Sequence, residues 1–218
     1  MNLLSKPLSA LLLCCLVLAV FWLPAQARCE LIINEIMGDP AQDWDGDGTY
    51  NFRGDEWIEV MNEGTVAEDM TNYWLRDSTG DELHLQLHGI IYPGEVAVYY
   101  GSEAVAWQQL YGNTVVGFSI NNSGDTIELL KTIDAPGGTD LVLIHSVTIL
   151  DHEAEDDRSS GLDSETGEWA MNDALNPYNG GFSPQGNDCQ PTPGQPNVCV
   201  PLVPVAATTW GSVKSCYR

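Results

Sequence analysis

Positive charge is scarce in this chain. Its 218 residues carry eight lysines and arginines against 31 aspartates and glutamates, a formal net charge of −23. A field of that sign repels nucleic acid backbones and anionic membranes and attracts divalent cations and basic surfaces. Nucleic acid is therefore not expected as a partner. Histidine is rarer still, with four residues, and only His84 and His88 stand at a chelating spacing. Leu85 occupies the place where a metalloprotease helix has its glutamate. On a strand, four residues would separate the two rings by roughly 13 Å, too far to share a zinc ion. No Cys-x-x-Cys pair, glycine-rich phosphate loop or Gly-x-Ser-x-Gly elbow is present, and Ser159-Ser160-Gly161 does not supply one. No nucleophile can be paired with a base. The expectation is a non-catalytic protein with no catalytic residues.

Long apolar runs are also missing, with one exception. Leu8–Leu23 is apolar, follows Lys6 and precedes Ala25-Gln26-Ala27, so residues 1–27 read as a signal peptide with maturation at Arg28. Sixteen residues are short for a membrane span, and no later stretch is longer, so no transmembrane segment is expected in the mature chain. Arg28 before Cys29 argues against lipidation. The protein is expected to be secreted or held at the cell surface. Removing the leader leaves seven basic against 31 acidic side chains and four cysteines: Cys29, Cys189, Cys199 and Cys216. An even count in an exported chain favours disulfides, and four cysteines allow three pairings. Cys189 and Cys199, which flank a proline-rich turn, are the favoured pair.

What is present is a series of short apolar or alternating runs between turn signals. Strands are expected at Leu31–Met37, Glu56–Met61, Tyr73–Arg76, Glu82–His88, Glu95–Tyr100, Thr114–Ile120, Thr126–Ile133 and Leu141–Leu150, with a short helix over Ser102–Tyr111. In the fourth run Leu83, Leu85 and Leu87 alternate with outward-facing His84 and His88. Many short strands joined by Gly, Pro and Asn turns argue for an all-β, antiparallel β-sandwich. Strand glutamates Glu35 and Glu59 are expected to face solvent; a role for Glu35 beside the metal loop described next is the alternative. Residues 151–188 are acidic and poor in aliphatics, and read as an extended excursion pinned on the sandwich by Trp169.

Between Asp43 and Glu56 the chain reads Asp-Trp-Asp-Gly-Asp-Gly-Thr-Tyr-Asn-Phe-Arg-Gly-Asp-Glu. Carboxylates at alternate positions, closed by a glycine, are how a short loop wraps oxygen ligands around calcium. Asp43, Asp45 and Asp47 take positions 1, 3 and 5 of the EF-hand template, the Thr49 carbonyl position 7 and Asn51 position 9. Gly54 stands at position 12, so Asp55 or Glu56 is the candidate closing ligand. The loop leads directly into a strand, which places a structural Ca2+ ion within a β fold.

Leu-Ile-Ile-Asn-Glu-Ile at 31–36, Asp-Glu-Trp-Ile-Glu-Val-Met-Asn at 55–62, Asn-Tyr-Trp-Leu-Arg-Asp at 72–77 and Pro-Thr-Pro-Gly-Gln-Pro-Asn at 191–197 resemble successive signatures of the lamin-tail domain. The chain is similar to the secreted bacterial branch of that family, whose members often carry an Asp/Gly-rich insert before the second strand. The resemblance covers roughly residues 29–199. It implies an immunoglobulin-like sandwich and a non-catalytic module, attached in animals to intermediate filaments and in bacteria to exported enzymes and surface proteins. No coiled coil precedes the domain, so filament formation is not expected.

The organisation expected is a signal peptide (1–27), a lamin-tail-like immunoglobulin-fold domain (28–199, irregular over 151–199) and a tail (200–218) that is a candidate sorting or anchoring segment. The function expected is a calcium-stabilised binding or structural module, its partner an unidentified protein or surface polymer. The rivals are a secreted metal-dependent hydrolase using the Asp43–Glu56 cluster and an accessory subunit of another exported protein.

Overall fold

The computed structural model describes residues 31–199. The leader, Cys29, Cys216 and the 200–218 tail lie outside the described residues. Eleven strands are described: β1 (Leu31–Met37), β2 (Trp57–Asn62), β3 (Glu68–Asp69), β4 (Tyr73–Asp77), β5 (Leu85–Gln86), β6 (Ile90–Ile91), β7 (Val96–Tyr100), β8 (Gly124–Ala135), β9 (Gly138–Leu150), β10 (Ser159–Leu162) and β11 (Trp169–Asn172). One α-helix, α1 (Gly101–Tyr111), follows β7, and a short 3-10 turn at Met70–Asn72 leads into β4. A five-stranded sheet in the order β11-β10-β1-β2-β7 faces a four-stranded sheet in the order β5-β4-β8-β9, and β3 pairs with β6 beside them. Every strand pairing is antiparallel. This is the antiparallel β-sandwich that the strand spacing predicts, in the immunoglobulin-like form that the resemblance implies.

Alternation builds the core. Tyr73 and Leu75 of β4, and Ile127 and Leu129 of β8, point inward and meet Leu31, Ile33, Ile58, Val60 and Tyr99 from the other sheet. On β1 a bulge between Ile33 and Glu35 shifts the register, so Ile33 and Ile36 both reach the core while Glu35 points to the opposite face. That opposite face is covered as well, since β1 is buried along its whole length. The cover comes from residues 151–199. Much of this segment is irregular, but it also adds β10 and β11 to the edge of the first sheet. Trp169 packs against the core, with its indole N–H on Glu153 Oε1 at 3.2 Å.

Two expectations require correction. Thr114–Ile120 is not a strand: Gln108 of α1 accepts from Val116 N and Gly117 N and donates to Gly117 O. A helix side chain satisfies this backbone in place of a sheet neighbour. The run Glu82–His88 pairs only at Leu85–Gln86, and His84 is buried, not outward. Its Nδ1 lies 3.1 Å from Gly117 O, and its carbonyl accepts from Gln108 Nε2 at 3.0 Å. The same irregular segment that displaced a strand encloses the ring.

Candidate metal loop and the buried carboxylates

Residues 38–56 connect β1 to β2, and their local chemistry folds them tightly. Asp43 accepts from Gly46 N at 2.8 Å and Gly48 N at 2.9 Å, Asp45 from Asp47 N at 2.9 Å, and Asp47 from Thr49 N at 2.6 Å. These are successive Asx turns, and both glycines take the positive φ that the turns require. Asp55 is fully buried at the centre. Its Oδ1 accepts from Trp44 N at 2.7 Å and Asp45 N at 3.1 Å, and its Oδ2 from Asn51 N at 2.7 Å. Carboxylate oxygens of Asp43, Asp45 and Asp55 consequently lie within 4.8 Å of one another. Each carboxylate retains lone pairs beyond its N–H contacts, so the three offer oxygens of the kind that hard cations take.

The remaining proposed ligands sit elsewhere in the loop. Asp47 is exposed and outside the convergent trio. Asn51 turns its Oδ1 to Arg53 N and Gly54 N. Glu56 lines a separate cavity beneath Ser119 and Ile120, and burial pushes its carboxyl well above the usual range. Glu35 is not at the loop. Trp44 docks the loop: its indole N–H donates to Asp157 Oδ1 at 2.8 Å and its ring lies 6.2 Å from that of Trp57. Sequence reasoning missed Asp157, which also accepts from Ala41 N at 2.9 Å and donates its own N–H to Asp39 O.

Glu35 and Glu59 correct a third expectation, that they face solvent. They pair across β1 and β2, and neither reaches solvent. Glu35 accepts from Ser159 Oγ, Asn172 Nδ2 at 2.8 Å and Thr192 Oγ1 at 2.8 Å. Glu59 accepts from Asn34 Nδ2 at 2.6 Å and Gly194 N at 2.7 Å, and Asn197 Nδ2 donates to Asn34 O at 3.1 Å. Burial pushes the Glu59 carboxyl up to about 7, against the two hydrogen bonds and with the charge of Glu35; burial raises Glu35 too. The two carboxylates latch residues 192–197 over the sheet. The signal for this lay in view: Asn34 and Glu35, Glu59, and Thr192, Gly194 and Asn197 all fall within three of the four quoted motifs. A disulfide between Cys189 and Cys199 brackets the latching segment, as the cysteine spacing predicts.

Fold and site together define an immunoglobulin-like sandwich carrying an acidic loop and a latched C-terminal segment. The sequence matches the Lamin Tail Domain family over residues 24–150, and the chain belongs to that family of structural modules. The match ends at the close of β9, before β10, β11 and the latch. Searches of curated proteins and of solved structures find no match.

Proposed function

We propose that the protein is an exported, calcium-stabilised immunoglobulin-like module that acts by binding or structural association at the cell surface or outside the cell. The observation that carries the calcium reading is the convergence of Asp43, Asp45 and Asp55. Asp55 is the closing ligand in this reading; Asp47, the Thr49 carbonyl and Asn51 complete the shell only by turning inward on binding, since Asp47 lies outside the trio and Asn51 Oδ1 is held by Arg53 N and Gly54 N. Export is supported by the Cys189–Cys199 disulfide, which suits an oxidising compartment. The alternative, a metal-dependent hydrolase using the Asp43–Glu56 cluster, is disfavoured because such enzymes assemble histidines and acids from distant parts of the chain, and among the described residues no histidine joins Asp43, Asp45 and Asp55.

Thermal melting in millimolar calcium against EGTA tests the reading. A ligand that binds only the native state at a hundredfold above Kd stabilises it by about 2.7 kcal/mol. For a domain of this size the melting temperature should rise by about 5–10 °C. Magnesium should do less, since its small octahedral shell fits a flexible carboxylate loop poorly. Trp44, held by Asp55 and Asp157, should change its fluorescence on binding. Equal melting in both conditions would reduce the loop to a solvated turn. Turnover of phosphoester, peptide or glycoside substrates that Asp45→Ala abolishes with the fold intact would favour the hydrolase.

A further inference from the structure

A cavity of about 430 Å3 opens where the end of β2, the start of β7, the turn between β10 and β11 and the 192–197 latch meet. That size falls within the range of ligand sites, about 300–1,000 Å3. Met61, Val96, Leu162 and Pro196 give it apolar walls. Three acids line it, Glu63, Glu95 and Asp163, and no lysine, arginine or histidine does. Asn34 lines it too, although only 3 % of that residue is exposed. Its Nδ2 is spent on Glu59 Oε1 at 2.6 Å, which fixes the orientation of the amide. Its Oδ1 accepts no hydrogen bond from the described residues and is not sealed from solvent. We propose that this cavity takes the arginine side chain of a polypeptide partner.

The unmet acceptors carry the assignment. Asn34 Oδ1 belongs to a buried side chain, so its ligand must bring N–H or O–H. The acids have oxygens to spare as well. Glu63 accepts nothing from the described fold, and Glu95 accepts only from Tyr92 N, through Oε2. Asp163 takes Glu165 N, Thr166 N and Thr166 Oγ1 on Oδ1 and leaves Oδ2 open. Spare carboxylate oxygens with no cation among them favour a donor bearing positive charge. Their spread decides which cation. Among the described residues only Asp43, Asp45 and Asp55 converge closely enough to hold a metal ion, so the oxygens of this cavity do not meet at one point. An ammonium is a compact point charge, whereas a guanidinium spreads five N–H donors over a rigid plane. The methylene stem of arginine suits the apolar walls. The cavity is also built in advance. Ser164 N and Oγ donate to Asn197 O at 3.0 and 2.9 Å, and Asn197 Nδ2 holds Asn34 O. A site already in its bound shape loses less freedom on binding. The inference rests on the reading of the protein as a binding module and gives its partner a chemistry, but it uses none of Asp43, Asp45 and Asp55.

Titrating 15N-labelled, disulfide-bonded protein with Nα-acetyl-arginine N-methylamide in millimolar calcium tests the proposal. The citrulline derivative, a neutral isostere, is the control, and the lysine derivative forms a second arm. Saturable shifts should appear at the amides of Asn34, Glu63, Glu95 and Ser164, and the citrulline derivative should not produce them. The lysine derivative should bind several-fold more weakly, as a point charge reaches fewer of the dispersed oxygens. Glu63→Gln combined with Glu95→Gln should weaken arginine binding by about tenfold or more, since it replaces charge-assisted bonds with neutral ones. Should that pair fail to melt as the wild type does, Glu63→Gln alone, whose carboxylate holds no part of the described fold, must show a loss. The proposal is overturned by equal shifts with the citrulline derivative, by equal binding of the lysine derivative, by shifts confined to residues 43–48, by no saturation, or by folded variants that bind as the wild type does. Such a failure would strike this site and leave the calcium reading to the melting comparison, which rests on other residues.

Discussion

Glu59 shows how far one residue departs from its sequence expectation. Its carboxyl is raised from the ordinary 4.5 to about 7 in the fold, mainly by burial. Between those two values the folded state binds more protons than the unfolded state, so stability falls as pH rises through that window and is fully lowered above about 7. The effect amounts to about 3 kcal/mol between pH 4 and pH 8 for a group this buried. Urea unfolding at pH 5, 6, 7 and 8 should show the slope, and Glu59→Gln should flatten it. The loop gives a second residue-scale prediction. Asp45 belongs to the convergent trio and Asp47 does not. Asp45→Asn should therefore weaken calcium binding more than Asp47→Asn does, as measured by calcium titration of tryptophan fluorescence.

At the scale of elements, the junction between the loop and α1 is the most constrained contact. Gly101 N donates to Glu56 O at 2.7 Å and Ser102 N to Gly54 O at 2.9 Å, so the first turn of the helix is satisfied by the end of the acidic loop. A Cβ at Gly101 would stand 1.8 Å from Arg53 O. Alanine favours helices over glycine by about 1 kcal/mol, yet here the clash is with backbone that cannot rotate away. Gly101→Ala should destabilise the protein by about 2–3 kcal/mol in denaturant unfolding, and should also lower calcium affinity by displacing Arg53–Asp55. At the other end of the helix Gly112 takes the left-handed C-cap at φ 72°, with nothing within 4 Å of an added Cβ. The two glycines serve opposite needs, close approach and positive φ.

The whole molecule is held by its last described segment. Residues 151–199 supply two strands, the Asp157 anchor of the loop and the Thr192–Asn197 latch on the buried glutamates. The disulfide closes a loop with a sequence separation of 10, which in the chain-entropy account contributes about 3 kcal/mol. Cys189→Ser with Cys199→Ser should cost roughly that amount, and hydrogen exchange at Gly194 should accelerate as the latch loosens. The opposite edge of the molecule is more open. Leu141, Val142, Leu143 and Ile144 are exposed on β9, which among the described residues has no strand partner beyond β8. Edges of this kind favour pairing with other chains, and they are the surface to examine first in an association module.

Local chemistry was enough to read the sandwich, most strand positions, the Cys189–Cys199 pair and the acidic loop from sequence. Alternation, turn residues and Asp-x-Asp-Gly spacing act over a few residues, so they survive without a fold. Glu35, Glu59 and Glu56 were not legible in the same way. Each stands in a strand or beside one, where period-two logic assigns a face but cannot say what covers that face. Residues more than 100 positions away decide it for Glu35 and Glu59, because Ser159, Asn172, Thr192 and Gly194 fold back over the first sheet. Likewise the spacing offered Asp55 and Glu56 equally as the closing ligand. Successive strand-entry residues point to opposite sides of the chain, and only the packing of the loop against Asp157 and α1 chose Asp55 for the carboxylate trio and sent Glu56 to the cavity.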